Sequence, residues 1–200
     1  MTGKLDFYFD FSSPYGYFAA HEIEALGARH GRAVVWHPVL LGALWKSTGI
    51  TPLVDVPRKG AYARHDWERI ARLTGTEYHE PSTFPVATQY AARAFLHARL
   101  IDAARAPDLG LALYRAYFVE GRDIGEAQTV VAVGVQQGWP RDEIDAALND
   151  AQIKAALREE VSLAEGHGVF GSPFVIVDGE SFWGWDRLPM LEQWLERGGF

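Results

Sequence analysis

The spacing of hydrophobic positions changes character along the chain. Leu5, Phe7, Phe9 and Phe11 alternate with Asp6, Tyr8 and Asp10, a period of two that predicts a strand. After Ser12-Ser13-Pro14 the period lengthens. Tyr17, Phe18, Ile23 and Leu26 fall on one helical face, with Gly27 or Gly31 near its end. Residues 33–39, AVVWHPV, predict a second strand. A strand–helix–strand opening of this kind usually makes a parallel, right-handed pair.

No strand pattern follows between about 45 and 168. The spacing predicts a helix over 57–74, opened by Pro57 and stopped by Gly75, and further helices over 86–105, 108–119, 126–137, 140–148 and 150–165. The strand pattern returns at Phe174-Val175-Ile176-Val177. Asp178-Gly179 is a hairpin signal, and Ser181-Phe182-Trp183 continues as the next strand. A last helix is expected over 186–197, with Leu188, Leu191, Trp194 and Leu195 on one face. The expected architecture is an α/β domain, residues 1–44 and 166–200, interrupted by an all-helical insertion, residues 45–165.

Composition narrows the chemistry. The chain has 200 residues, enough for a proper hydrophobic core, and a net charge of -7 without a basic run, which argues against nucleic acid as a partner. No stretch has the roughly 20 apolar residues that span a bilayer. The N-terminus reads as a strand and not a signal peptide, so a cytoplasmic place is expected. There is no cysteine, which excludes disulfides, thiolate metal sites and redox chemistry on the protein's own thiols. None of the seven histidines, His21, His30, His37, His65, His79, His97 and His167, forms a ligand pair such as HExxH. They read as structural or surface residues, and no metal is expected.

Ser13 is the first candidate for chemistry. Serine before proline marks a helix start, with Ser at N-cap and Pro at N1. The same position offers free N–H groups and a hydroxyl that can stabilise an anion such as a bound thiolate. Local sequence leaves both readings open. Ser172-Pro173 stands before the third strand, where proline is tolerated. A cis bond there would turn the Ser172 backbone outward to pair with an extended peptide, strand-fashion.

Three stretches in order, DFYFDFSSPYGY, PRKGAY and VFGSPFVIVDGESFWGWDRL, resemble the kappa-class glutathione transferases and the bacterial 2-hydroxychromene-2-carboxylate isomerases. These share a thioredoxin-like fold with the DsbA-type oxidoreductases, and the likeness covers nearly the whole chain. The resemblance implies that Ser13 stands where a redox cysteine would and contacts the sulfur of glutathione. It implies that Ser172, before cis-Pro173, pairs with the cysteinyl backbone of that cofactor. Asp186 would bind the γ-glutamyl end, and a helix-capping role is expected of it as well. Trp185 replaces the small polar residue usual in the family, so its backbone N–H is expected to serve. Lys59 would reach the glycyl carboxylate, with Arg58 as a substitute, although on pattern alone it is a solvated lysine. The family's asparagine in the preceding loop has no match in Gly49-Ile50-Thr51-Pro52.

Asp66 and Arg69 read as helix-surface or structural residues. Tyr8, Tyr15, Tyr17 and Trp45 read as core, some of them suited to an apolar pocket for a small aromatic or electrophilic substrate. Activity as a glutathione-dependent isomerase is implied, with a kappa-like transferase or a non-catalytic peptide-binding module as alternatives. A homodimer is expected from the resemblance alone.

Overall fold

The computed structural model describes residues 3–200, the side chains of residues 47 and 48 excepted. Met1 and Thr2, where the expected first segment begins, lie outside the described residues. Strand β1 (Lys4–Phe9) leads into helices α1 (Pro14–Ala20) and α2 (Ile23–Arg29), then strand β2 (Ala33–Pro38) and helix α3 (Leu41–Thr48). Helices α4 (Pro57–Thr74), α5 (Gln89–Ile101), α6 (Ala106–Phe118), α7 (Ala127–Gln136), α8 (Arg141–Asn149) and α9 (Ala151–Gly166) follow. Strands β3 (Phe174–Val177) and β4 (Glu180–Trp183) and helix α10 (Leu188–Arg197) complete the chain.

The sheet order is β2-β1-β3-β4. β1 pairs parallel with β2, Phe7 opposite Trp36, and antiparallel with β3, Phe7 opposite Val175. The β3–β4 hairpin turns through Asp178 and Gly179, both with positive φ (51° and 86°), as a two-residue Asp-Gly loop requires. All strands among the described residues fall within 3–44 and 166–200, and 45–165 holds helices.

β1 is one of the two inner strands and is packed on both faces, so these differ less than the alternation predicts. Phe7 and Phe9 enter the main core, while Tyr8 enters a second apolar cluster with Val39, Leu44, Val161 and Phe174. The main core is aromatic. Phe9 meets Phe11, Trp36 and Phe95 edge-on at centroid distances of 5.1, 5.2 and 5.1 Å, each such pair worth about 0.5–1.5 kcal/mol beyond its buried area. Because Phe95 lies on α5 and Tyr114 on α6, the helical segment and the sheet share one core.

Three expectations are corrected. The single helix after Ser13 is two, broken at His21-Glu22. Glu22 there accepts the indole N–H of Trp185 at 2.7 Å, a tertiary contact invisible to periodicity. Helix α3 has no counterpart in the expected pattern; it is closed by Gly49, whose φ of 69° suits a C-cap glycine. The last helix starts at Leu188, preceded by a 3-10 turn over Trp185–Arg187. Asp186 therefore caps nothing through its side chain. Gly184 and Arg187 occupy the cap positions.

Candidate functional site

β1 ends against the start of α1, and the loop before β3 folds back onto that junction. Ser13 is the N-cap of α1, with extended backbone (φ -91°, ψ 112°) and Pro14 at N1. Its hydroxyl oxygen accepts the Gly16 N–H at 3.0 Å, and its hydroxyl proton goes to the Ser172 carbonyl at 2.8 Å. The capping reading of Ser13 is thus satisfied, while the side chain still forms part of a cavity wall. The Ser172–Pro173 peptide bond is cis. Ser172 Oγ accepts the Asp10 N–H at 3.0 Å, and Pro173 O accepts the Gly184 N–H at 3.0 Å. The Ser172 N–H donates no hydrogen bond among the described residues.

Gly16 makes this approach possible. A Cβ at that position would stand 2.7 Å from Ser172 Oγ and 2.8 Å from the Tyr114 hydroxyl. A glycine inside a helix is usually a cost. Here it lets α1 approach both the loop before β3 and helix α6.

A cavity of about 880 Å³ opens at the junction. Ser13, Lys59, Ser172, Trp185 and Asp186 all line it, so those sequence candidates converge. Pro173 does not line it and is buried behind Ser172. Lys59 sits in the first turn of α4, exposed and without an ion pair among the described residues. A lysine at a helix N-terminus is unfavourable towards the dipole by about 0.3–1 kcal/mol, which a bound anion would offset. The Asp186 carboxylate, 67% exposed, pairs with Arg187 at 3.4 Å, and its charge reaches the Tyr15 phenol. The Trp185 ring is held by Glu22, so its indole N–H is not free for a ligand. Ile50, Thr51 and Pro52 also line the cavity.

The remaining wall is largely aromatic and apolar. Tyr15 and Trp45 contribute from the expected set, and Phe170 and Trp183 were missed. Trp183 is 54% exposed, meets Phe170 edge-on at 4.7 Å, and lies across Gly171, whose hydrogen leaves room for the indole. Their signal in the sequence was only a pair of aromatics flanking a strand. Asp66 and Arg69 line the cavity too, and the Tyr15 hydroxyl donates to Asp66 Oδ2 at 3.0 Å, tying α1 to α4. Burial first, and the Asp66 charge second, push the Tyr15 phenol far above its ordinary value, so it remains a donor. Asp10, read as the polar phase of a strand, is 2% exposed and lies at the centre of the loop junction. No group of three His, Asp or Glu side chains able to hold a metal occurs among the described residues. No helix among them is long and apolar enough to cross a membrane.

Comparisons with known proteins agree with this layout. A family model described as the DSBA-like thioredoxin domain matches residues 4–196. A 2-hydroxychromene-2-carboxylate isomerase of Sphingobium xenophagum is 29% identical, covering 98% of this chain and 99% of the relative. Glutathione S-transferase kappa 2 of Caenorhabditis elegans is 24% identical over 96% of this chain and 91% of its own. The solved structure of a 2-hydroxychromene-2-carboxylate isomerase superposes with a TM-score of 0.87 at 26% identity, covering 96% of this chain and 94% of that one.

Proposed function

The chain belongs to the family of DSBA-like thioredoxin domains, and from that premise we propose that it is a glutathione-dependent isomerase of the 2-hydroxychromene-2-carboxylate isomerase type. The observation that carries the reading is the convergence of Ser13, Ser172, Lys59 and Asp186 on one cavity in a chain without cysteine. A thiol chemistry in that cavity must take its sulfur from a ligand. Glutathione fits the groups present: it offers two carboxylates, an ammonium and a peptide backbone, and the cavity offers a lysine without an ion pair among the described residues, the exposed Asp186 carboxylate and a Ser172 N–H that donates to none of them.

When bound, glutathione supplies a thiolate that adds to and later leaves a conjugated carbon, so that a double bond can rotate. The protein's part is to hold and orient. Lys59 meets the glycyl carboxylate and Asp186 the γ-glutamyl ammonium. The Trp185 backbone N–H is the remaining donor at that end. Ser172 pairs through its N–H and carbonyl with an extended peptide, as a strand edge does. A ligand N–H can take the second lone pair of the Ser172 carbonyl, and the Ser13 hydroxyl can exchange its 2.8 Å bond to that carbonyl for a charge-assisted one to sulfur. Helix α1 has only seven residues, so the hydroxyl carries more of this stabilisation than the helix dipole. Tyr15, Trp45, Phe170 and Trp183 give an apolar wall for a small aromatic substrate and keep water from the sulfur.

A kappa-like transferase acting on small electrophiles is the second reading, supported by the kappa-class relatives. We include in the proposal a homodimer in the cytoplasm and the division of the chain at 44/45 and 165/166. The test is turnover of 2-hydroxychromene-2-carboxylate with and without glutathione. Isomer formation that requires glutathione supports the reading. Absence of turnover by a folded protein with glutathione present overturns it.

A further inference from the structure

Asp10 is the only charged side chain in the buried polar set of the described residues. Its carboxyl is surrounded by donors. Oδ2 accepts the Leu41 N–H at 2.6 Å. Oδ1 accepts the Ser12 N–H at 2.7 Å, the Ser12 hydroxyl at 2.8 Å and the Thr88 hydroxyl at 3.0 Å. Backbone amides can only donate, whereas hydroxyls can reverse. Each oxygen accepts one amide, but among the described residues only Oδ1 has hydroxyl partners, so Oδ1 is the oxygen whose proton finds an acceptor in Ser12 or Thr88 while its remaining lone pair keeps the Ser12 amide.

Ser12 connects this buried acid to the cavity, whose wall it forms beside Ser13. The groups that meet Asp10 from the other elements are uncharged. α3 gives an amide, α5 begins at the Thr88 hydroxyl, the loop before β3 gives Ser172 Oγ, and α6 gives the Tyr114 hydroxyl, which donates to Asp10 O at 2.9 Å. The titratable groups that feel its charge are the Tyr114 and Tyr117 phenols of α6. No cation faces it. Burial accordingly holds the Asp10 carboxyl above its ordinary range, against the lowering effect of its hydrogen bonds to Leu41, Ser12 and Thr88.

We propose that Ser12 and Asp10 form the proton store of this site: Ser12 Oγ takes the proton of a bound thiol as its own hydroxyl proton passes to Asp10 Oδ1. The S–H bond breaks and a carboxyl O–H bond forms. Negative charge moves from the buried carboxylate to sulfur, and no electron acceptor or further reactant is needed. Release of the thiol reverses the step. The proton-loaded Asp10 then donates to Ser12 Oγ, and the Ser12 hydroxyl becomes a second donor to sulfur beside Ser13. Two adjacent negative charges, carboxylate and thiolate, are never present together. Ser12 is the catalytic residue in this step, and Asp10 acts through it. The inference rests on glutathione binding at Ser13, as proposed above.

The test counts protons and does not depend on turnover. Glutathione is titrated into the protein at about pH 7.5, where a free thiol is mostly protonated. Thiolate is read by ultraviolet absorption, and proton release by calorimetry in two buffers of different ionisation enthalpy. The wild-type protein is expected to release clearly less than one proton per thiolate formed, and Asp10→Asn a full proton. In Ser12→Ala, which leaves both amide bonds to Asp10 in place, thiolate is expected to appear about tenfold more slowly or worse in stopped flow, with the same final proton count. A full proton released by the wild-type protein overturns the proposal and leaves glutathione binding intact. That count stands alone should Asp10→Asn fail to fold. An unchanged rate in Ser12→Ala refutes the relay. Absence of any thiolate or bound glutathione overturns the underlying reading, and the proposal with it.

Discussion

Replacing Ser13 by alanine removes a cap acceptor, a hydrogen-bond donor and a cavity hydroxyl together, and their effects differ in size. The Gly16 N–H loses its 3.0 Å acceptor, a capping loss of about 1 kcal/mol. The Ser172 carbonyl loses its 2.8 Å donor, which costs about 1–3 kcal/mol at a buried site. Together these amount to roughly 2–4 kcal/mol, inside the ~5–15 kcal/mol by which domains are stable, so the fold is expected to survive. On the proposed reading Ser13→Ala also loses a hydrogen bond to a charged sulfur, which would be worth about 1.5–3 kcal/mol. That equals a rise of about 1–2 units in the pKa of the bound thiol. The assay is an ultraviolet pH titration of protein-bound glutathione, run beside thermal unfolding. Ser13→Gly separates the effects, because glycine at an N-cap is only slightly worse than serine. Both variants are expected to raise the thiol pKa alike, with Ser13→Ala the less stable of the two. A thiol pKa unmoved in both would refute the role of the hydroxyl.

Lys59→Ala is expected to weaken glutathione binding about two- to fivefold, the range of an exposed ion pair, with the difference shrinking in salt; titration calorimetry at two ionic strengths checks it. Gly16→Ala puts a Cβ 2.7 Å from Ser172 Oγ, and should destabilise by about 1–3 kcal/mol and impair glutathione binding, read by unfolding and binding assays. Burial alone would raise the Glu160 carboxyl, but hydrogen bonds from His37 and Arg99 bring it below its ordinary value. Its folded-state value is thus lower than the unfolded one. The stability it contributes is present above the unfolded value and is lost as pH falls through the folded one. Glu160→Gln should flatten the acid limb of a melting-temperature profile, and an unchanged limb would show that the pairing does not act.

Much of the fold was legible in the sequence because its signals are local. Pro57 and Gly75 bracket α4 at its observed ends, and Asp178-Gly179 sets the β3–β4 hairpin. The errors arose where distant contacts decide. Glu22 is taken by Trp185 across 163 positions, and the helix breaks there. Asp186 carries the composition of a cap, yet the glycine before it, with φ 110°, bends the chain into a 3-10 turn first. Of the candidate site, Ser13, Lys59, Ser172 and Asp186, which line the cavity, stand in short motifs in order. Asp10, Gly16, Phe170 and Trp183 do not, because alternation, a helical glycine and edge aromatics carry no mark of a cavity. Asp10 in particular looked like the polar phase of a half-exposed strand, and only the loops packed around it make it buried.

The most direct test of the central claim is a count of thiols during turnover of 2-hydroxychromene-2-carboxylate. Glutathione is supplied at a small fraction of the substrate, and product and free thiol are followed together. The account predicts many turnovers per glutathione, with all of the thiol recovered as the free form. Product formation that stops when one glutathione per product has been consumed would contradict it and assign the chain to thiol transfer.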